Sequence, residues 1–421
     1  METLRLTLTD YIRTGQLSAA DEAKLLKAAE ILRRGGLAAF PTETVYGLGG
    51  NALLSDASEK IYAAKGRPSD NPLIAHIASM EALRPLVKSV PERAKKLAAA
   101  FWPGPLTMIL EKSELVPYET TGGLDTVAVR MPEHTAARKL IELAGVPVAA
   151  PSANTSGRPS PTEASHVAED LGGKIDAIVD GGAVRIGVES TIVDLSGAKP
   201  VLLRPGAVTR QMLEDVLSEE VLLDPALEKP LDPGVHPKAP GMKYRHYAPK
   251  APMHIVAPAD GVFSEKNLRA VEQAVCEEAK QALALGKRVG ILCSEETLPY
   301  YKEKFQGNAD CIGAAGAERA KTGHAEAEEA AAEAKVPAGQ TETEVQQTPG
   351  AARTAACVLL MSAGSHQSDE SFAHNLFGAL REMDDAGVEF IAAEGIHAEA
   401  LGYAVMNRMK KAAGQHIIYV S

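Results

Sequence analysis

The chain has 421 residues, of which 45% are hydrophobic and only 4% aromatic, and its formal net charge is −11 at pH 7. This length exceeds one ordinary core and predicts two domains with aliphatic, alanine-rich interiors. The negative charge argues against a protein that coats nucleic acid non-specifically. The start METLRLTLTDY lacks the features of a signal peptide, and no apolar run is long enough to cross a bilayer, so we expect a cytoplasmic protein without membrane contact.

Helix and strand patterns alternate through the first half of the chain. The segment SAADEAKLLKAAEILRRGG predicts a helix capped by Ser18, and the buried strand LAAFP follows it. The segment DASEKIYAAK predicts a second helix with a capping box at Asp56 and Glu59. Before it, GLGGNA imitates a dinucleotide fingerprint, but the helix starts too late to hold a pyrophosphate, so we expect a loop. Further strands are predicted at LIAHI, LTMIL, TVAVRM, PVAA, AIVD, STIVDL and VLLR.

The second half of the chain differs from the first in its proline content and in a low-complexity segment. Residues 1–217 predict one layered α/β domain, and seven prolines between Asp224 and Pro252 predict an extended, semi-rigid linker over residues 218–252. Residues 253–421 alternate again, which predicts a small, Rossmann-like doubly wound domain. Residues 313–356 interrupt it with a low-complexity insertion rich in Ala, Glu, Gln and Gly, which we expect to be disordered or fraying.

Polar side chains gather at the ends of predicted strands in the first domain. Ligands of open α/β sheets bind in the crevice at strand ends, so we expect these loops to form one site. They carry hydroxyls, amides and cations with few acids, which is the chemistry that phosphates and carboxylates require. The candidates from the residues themselves are Thr44, Lys65, Arg67, Asn71, Thr126, Arg130, Ser152, Asn154, Ser160, Ser190 and Arg204.

Several of these residues also have a purely structural interpretation. Lys65 and Arg67 could be solvated charges that complement a helix dipole, and Arg130 could form a structural salt bridge. His76, inside an apolar strand, could be an ordinary core histidine. For Lys65, Arg67 and Arg130 the combination of motifs favours a ligand-binding role. For His76 both interpretations stay open.

Four motifs in a fixed order carry a family resemblance. FPTETVYGLG, K-G-R followed by DNPLIAHI, WPGPLT and PSAN together resemble the YrdC-domain family of threonylcarbamoyl-adenylate synthases over roughly residues 20–217. The segments at residues 240–249 and 373–395 are similar to the linker and C-terminal domain of the long form of that enzyme. The resemblance implies a YrdC-like twisted mixed sheet with helices for the first domain. The insertion at residues 313–356 departs from the family pattern and receives no role.

The resemblance also implies an activity and a set of partners. The family condenses L-threonine, bicarbonate or CO2, and ATP to threonylcarbamoyl-AMP and pyrophosphate, and a downstream tRNA threonylcarbamoyl transferase complex uses the product. A weak direct contact with tRNA stays open. Mg²⁺ is implied on the phosphates, held mostly by ligand oxygens and water, with no metal-binding residue of the protein.

Family counterparts assign the candidate residues to roles. Lys65 and Arg67 are implied as catalytic. The implied ATP-binding set is Lys65, Arg67, Asn71, Thr126, Ser152, Asn154, Ser160, Arg204 and Tyr247. The implied threonine-binding set is Thr44, His76, Arg130, Ala150 and Ser190. Within it, Arg130 suits the carboxylate because a guanidinium can donate two parallel hydrogen bonds to it. We also expect the linker to fold over the first domain, with Tyr247, and Tyr244 as a further candidate, against the nucleotide.

Two other functions remain as alternatives. Residues 65–112 hold eight Lys or Arg against four Asp or Glu, which allows an RNA-binding or ribosome-associated protein. The missing interleaved aromatics and the net charge count against it. A carbamoyltransferase of hydrogenase maturation can contain a similar domain, but that class brings cysteine-rich zinc modules, and this sequence has no C-x-x-C.

Overall fold

The structure is a computed structural model that describes residues 2–229, 234–243, 246–306 and 357–421. Its first half is built on a large mixed sheet. The strands are Leu4–Thr7 (β1), Ala38–Phe40 (β2), Gly47–Asn51 (β3), Ile74–His76 (β4), Leu106–Glu111 (β5), Thr126–Arg130 (β6), Val148–Ala149 (β7), Ala177–Asp180 (β8), Thr191–Asp194 (β9), Val201–Arg204 (β10) and Leu222–Leu223 (β11). Their order is β1-β8-β2-β3-β7-β4-β6-β5-β9-β10-β11, with parallel and antiparallel pairs.

Helices cover this sheet and enclose aliphatic cores. They are Thr9–Thr14 (α1), Ala19–Arg33 (α2), Ser55–Lys65 (α3), Glu92–Phe101 (α4), Tyr118–Thr121 (α5), Thr135–Ala144 (α6), Ala164–Leu171 (α7) and Arg210–Leu217 (α8). Short 3-10 turns occupy Arg84–Leu86 and Pro225–Leu227. Ser18 caps α2 as predicted, because its side chain accepts a hydrogen bond from the Asp21 amide.

Two local predictions in this half are wrong. The capping box at Asp56 and Glu59 does not form: α3 begins one residue earlier, and its N-cap, Leu54, makes no side-chain cap bond. The segment GLGGNA is a strand, β3, rather than a loop. The glycines serve close packing between strands, since a Cβ on Gly49 would lie 2.8 Å from the Phe40 ring and 2.9 Å from a Val148 methyl.

The second half contains a smaller, fully parallel sheet. Its strands are Met253–Pro258 (β12), Val289–Ser294 (β13), Val358–Gly364 (β14), Phe390–Glu394 (β15) and Ile417–Val420 (β16), in the order β14-β13-β15-β12-β16. The helices Glu265–Ala284 (α9) and Leu298–Lys304 (α10) pack on one face, and Asp369–Asp385 (α11) and Ala400–Ala412 (α12) on the other. Helices on both faces of a parallel sheet confirm the doubly wound prediction. The predicted insertion 313–356 lies outside the described residues.

The segment between the two sheets lies across the first sheet. Ala239 and Met242 pack on Ile74 and Ala128, and the amide of Ala248 donates to the carbonyl of Gly157 over 2.8 Å. The core under α11 and α12 also includes Val45 and Val188 from loops of the first half, so the apolar core of the second half continues into the first. Tyr244 lies outside the described residues. Within the described ranges, no helix combines the length and the apolar character needed to span a membrane.

Candidate active site

A small cavity of about 50 Å³ lies where several strand ends of the first sheet meet. β4, β6 and β10 each end at a residue of its wall: His76, Arg130 and Arg204. The loops after β2 and β7 supply further wall residues. Of the residues predicted from the sequence, those that line the cavity are Thr44, Arg67, His76, Arg130, Ala150, Ser152, Ser190, Arg204 and Tyr247.

Arg130 is held in a fixed orientation by the loop after β2. Its Nη1 donates to Thr44 Oγ1 over 2.9 Å, and its Nη2 donates to Glu43 Oε1 over 2.7 Å. Burial would raise the pKa of Glu43, but the charge and hydrogen bond of Arg130 outweigh it, so that pKa lies below its usual value. The guanidinium is therefore prepositioned at the cavity, with Thr44 as its polar neighbour.

His76 is a neutral imidazole in this environment. Burial lowers its pKa to about 3, and the charge of Arg130 acts in the same direction. Its Nδ1 lies 3.0 Å from the carbonyl of Ile74. Because a carbonyl can only accept, Nδ1 carries the proton and Nε2 is left as an acceptor. Both interpretations made from the sequence therefore apply, since the ring is buried and also lines the cavity.

Arg67 and Arg204 place two further guanidinium groups at the cavity. Arg67 donates from Nε to the Asn71 carbonyl over 3.1 Å and from Nη2 to the Pro72 carbonyl over 3.0 Å, and burial lowers its pKa to about 10. Arg204 donates to the carbonyl of Ser190 over 3.0 Å and to its hydroxyl over 3.1 Å. The wall therefore offers buried cations whose partners are mostly neutral oxygens.

Lys65, at the end of α3, is turned toward a loop rather than into the cavity. Its Nζ donates to the carbonyl of Ser152 over 2.6 Å and also to the carbonyl of Asn154. Burial, with the charge of Arg67 as the next cause, lowers the pKa of Lys65 well below its usual value. The Asn154 side chain accepts from Ser152 and donates to Thr155 and Arg158 carbonyls. Both residues thus shape the loop that presents Ser152.

Three more predicted residues do not line the cavity. Asn71 is buried, and its Oδ1 has no hydrogen-bond partner. Thr126 starts β6 on the same face as Ala128 and Arg130, below the linker residues that pack on Ala128. Ser160 donates its hydroxyl to Glu189 Oε1.

The sequence pattern does not reveal the acidic residue of the cavity wall or the acid that fixes Arg130. Glu189 lines the cavity, although it directly precedes Ser190 in a set of loops predicted to hold few acids. Pro240, Gly241 and His246 of the linker line the cavity as well. Glu43 is not among the predicted site residues, yet it fixes Arg130. Among the described residues, no cluster of three or more His, Cys, Asp or Glu side chains is arranged to hold a metal ion.

Only part of the basic excess in residues 65–112 is available as unpaired surface charge. Lys65, Arg67 and Lys112 are buried. Three of the others are paired with acids: Lys88 with Glu111, Arg93 with Glu219, and Lys95 with Glu92. This arrangement gives no support to the RNA-binding alternative.

Comparison with known proteins identifies the family. A family model described as telomere recombination (Sua5_yciO_yrdC) matches residues 30–206, and one described as threonylcarbamoyl-AMP synthase, C-terminal domain, matches residues 208–414. The threonylcarbamoyl-AMP synthase of Pyrococcus abyssi is 46% identical over 95% of this chain and 97% of its own. The enzyme of Bacillus subtilis is 41% identical over 96% of this chain and 97% of its own.

A solved structure agrees with these matches. The crystal structure of P. abyssi Sua5 complexed with L-threonine superposes with a TM-score of 0.76 at 43% identity and covers 100% of both chains. The match of residues 208–414 to the synthase C-terminal domain counts against the hydrogenase-maturation alternative. Both halves of the chain match in order, and the relatives align along nearly its whole length, so the chain belongs to the long-form threonylcarbamoyl-AMP synthase family.

Proposed function

We propose that this chain condenses L-threonine, bicarbonate or CO2, and ATP to threonylcarbamoyl-AMP and pyrophosphate in the cavity described above. The observation that carries the proposal is the convergence of Arg67, Arg130 and Arg204 on one buried cavity. The reaction joins two anions, a carbamate and a triphosphate, so its main requirement is charge neutralisation and alignment. No activated serine or cysteine nucleophile is needed, because the carbamate oxygen is already an anion.

The reaction has two bond-forming steps. The amine of threonine adds to CO2: a C–N bond forms while one C=O π bond becomes the C–O⁻ of the carbamate, and the proton of the amine passes to solvent. A carbamate oxygen then attacks the α-phosphorus of ATP, and the bond to pyrophosphate breaks as the new P–O bond forms. The residues align these groups and stabilise the negative charge, which spreads over the phosphate oxygens in the transition state.

The threonine site lies on the side of Arg130. The guanidinium receives the carboxylate, and Ala150 forms the adjacent wall. The hydroxyls of Thr44 and Ser190 and the imidazole of His76 suit the hydroxyl and amine of the substrate. A neutral His76 fits this task, because a positive ring would repel an ammonium group.

The ATP site lies on the side of Arg67, Arg204 and Ser152. Arg67 and Arg204 neutralise the phosphates and are the groups that stabilise the transition state. Lys65 and Asn154 position the loop that carries Ser152. Asn71 and Thr126 extend the site toward the ribose and base, and Ser160 acts from behind the wall through its hydrogen bond to Glu189.

The linker acts as a lid over this site. A space of about 50 Å³ holds only a few waters, whereas pockets for drug-sized ligands measure roughly 300–1,000 Å³. ATP therefore requires the linker segment with Pro240, Gly241, His246 and Tyr247 to move outward. Tyr247 then closes against the nucleotide. A closed lid protects the product, a mixed anhydride that water would destroy.

Partners and location follow from the reaction. The residues of the cavity do not fit a metal site of the protein, since the carboxylate of Glu189 is already bound by Ser160 and Arg408, so magnesium accompanies ATP as part of the substrate. A downstream tRNA threonylcarbamoyl transferase complex receives the product. A weak direct contact between this chain and tRNA is a separate part of the proposal. A role in tRNA modification fits the cytoplasmic location expected from the sequence.

Pyrophosphate release tests the proposal. Purified protein should release pyrophosphate from Mg-ATP only when threonine and bicarbonate are both present. Release that ignores threonine, or RNA binding without any release, would favour the alternative function.

A further inference from the structure

The cavity wall contains one acidic group, although its proposed substrates are anions. Glu189 is buried at the same cavity as Arg67, Arg130 and Arg204. An ionised carboxylate at this place repels phosphates strongly, because screening by water is weak in a buried site. Something must balance its charge before an anionic ligand binds well.

The balancing group comes from the other half of the molecule. Arg408 lies on α12 of the C-terminal sheet, and its side chain is fully buried. Its Nε donates to Glu189 Oε2 over 3.0 Å, and its Nη2 donates to the Glu189 carbonyl over 3.2 Å. Its Nη1 donates to the carbonyl of Pro205, over 2.7 Å, directly after Arg204. One guanidinium therefore fixes the acid and the segment that carries Arg204.

Arg408 also touches the lid. Its guanidinium carbon lies 5.7 Å from the centre of the Tyr247 ring, which stacks on Phe377 of α11 at 5.3 Å. On the same helix, Lys411 donates to the carbonyl of Gly241 in the linker. α12 thus holds the linker at two points while it neutralises Glu189.

The electrostatic surroundings of Glu189 support this role. Burial would raise the pKa of Glu189, but the charges of Arg408 and then Arg204, together with the Ser160 hydrogen bond, outweigh burial, so the pKa lies below its usual value. Without Arg408, Arg204 would be the main remaining counter-charge and would be drawn from substrate to the acid. The polar and charged groups that face Glu189 are Ser160, Arg204, Tyr247, Arg408 and Lys411.

We propose that Arg408 is a positioning residue for the nucleotide site: it cancels the charge of Glu189 and so leaves Arg204 available to the phosphates of ATP. The C-terminal domain thereby completes a binding site whose contacting residues all belong to the first domain and the linker. This inference rests on the proposed function, since it places ATP in the cavity.

The test removes each charge of the Arg408–Glu189 pair in turn and then both. Calorimetry measures Mg-ATP binding to the full chain in each case. Arg408→Met leaves Glu189 uncompensated and should weaken ATP binding by about tenfold or more. Glu189→Gln leaves Arg408 in excess, keeps an acceptor for Ser160, and should tighten ATP binding by about threefold. The double variant should return to within about threefold of the wild-type value.

Lys410→Met removes one charge from the same helix and serves as the matched control, with an expected change below about twofold. Steady-state kinetics should place the effect of Arg408→Met mainly on the KM for ATP. If Glu189→Gln weakens ATP binding, Arg408 only holds the two domains together and the inference is overturned. The Glu189→Gln measurement decides this even where Arg408→Met fails to fold. Wild-type protein that does not bind ATP would overturn the proposed function as well.

Discussion

The ammonium of Lys65 donates to the main-chain carbonyl of Ser152 over 2.6 Å. This bond joins the end of α3 to the loop after β7, across 87 residues of sequence. It explains why a lysine is buried at a place where desolvation lowers its pKa. The opening of the nucleotide site is therefore shaped by a buried cation that does not itself line the cavity.

Loss of this bond should reduce turnover. Lys65→Met should raise the activation free energy by about 2–4 kcal/mol, because the loop that presents Ser152 loses its anchor and the site loses its alignment. Lys60→Met, on the same helix, is the control, since Lys60 bonds the remote Gly35 carbonyl. Asn154→Ala in the Lys65→Met background should add little further loss. If the losses of pyrophosphate release from the two substitutions add in full, Lys65 and Asn154 do not act together on the loop that carries Ser152.

Arg130 should govern threonine affinity and leave ATP affinity nearly unchanged. Arg130→Lys keeps the charge but loses the bidentate fork, so threonine binding should weaken by about 1.5–3 kcal/mol. Calorimetric titrations with each substrate measure the two effects separately. The exposed Arg138→Lys on α6 provides a conservative control. A variant that loses ATP and keeps threonine would reverse the assignment of the two sides of the cavity.

The site should prefer threonine over valine. The two side chains have a similar shape, but valine would leave the polar groups around the threonine hydroxyl without a partner, at a cost of roughly 1–3 kcal/mol per group. Competition between the two amino acids in the pyrophosphate-release assay gives the ratio of their kcat/KM values. Equal rates with both amino acids would rule out a hydroxyl-reading pocket.

His76 should make stability depend on pH. Its pKa is about 3 in the folded protein against a usual value of about 6.5, so the unfolded chain binds more protons between these limits. Stability is then lost as pH falls through this window. Between about pH 7 and pH 5.5, the wild type should lose about 1 kcal/mol more unfolding free energy than His76→Gln. Urea titrations at both pH values measure the difference, and parallel losses would show that His76 is not the titrating group.

The linker should be protected by ligands. Lys243 lies between the cavity-lining residues Gly241 and His246, so a closed lid should shield its peptide bond from trypsin. ATP with threonine should slow cleavage there, and ATP alone should slow it less. Cleavage at the same rate with and without both ligands would mean that the linker is not a lid.

Local chemistry made much of the first domain predictable. Strand ends such as His76, Arg130 and Arg204 follow buried apolar runs. The hydroxyls and cations at these strand ends and in the neighbouring loops indicated one site that binds anions. The motifs in the same loops resembled the synthase family, and the family, the enzyme class and the α/β fold class are confirmed. The role of each residue at the site remains a prediction.

Features that depend on tertiary packing were not predictable. The glycines of β3 look like a loop in sequence, because only the neighbouring Phe40 and Val148 show why side chains are excluded. Arg381 and Arg408 look like ordinary helix charges, yet both are buried and bind acids of the first half. No local pattern distinguishes an arginine that crosses to another domain from one that faces water.

The central claim is that this chain forms threonylcarbamoyl-AMP, and isotope-labelled product analysis tests it most directly. The protein is incubated with threonine, Mg-ATP and ¹³C-bicarbonate, and the adenylates are resolved by mass spectrometry. We expect an adenylate with the mass of threonylcarbamoyl-AMP that carries one ¹³C atom, formed together with pyrophosphate. An unlabelled threonyl-adenylate, or ATP left intact under these conditions, would contradict it.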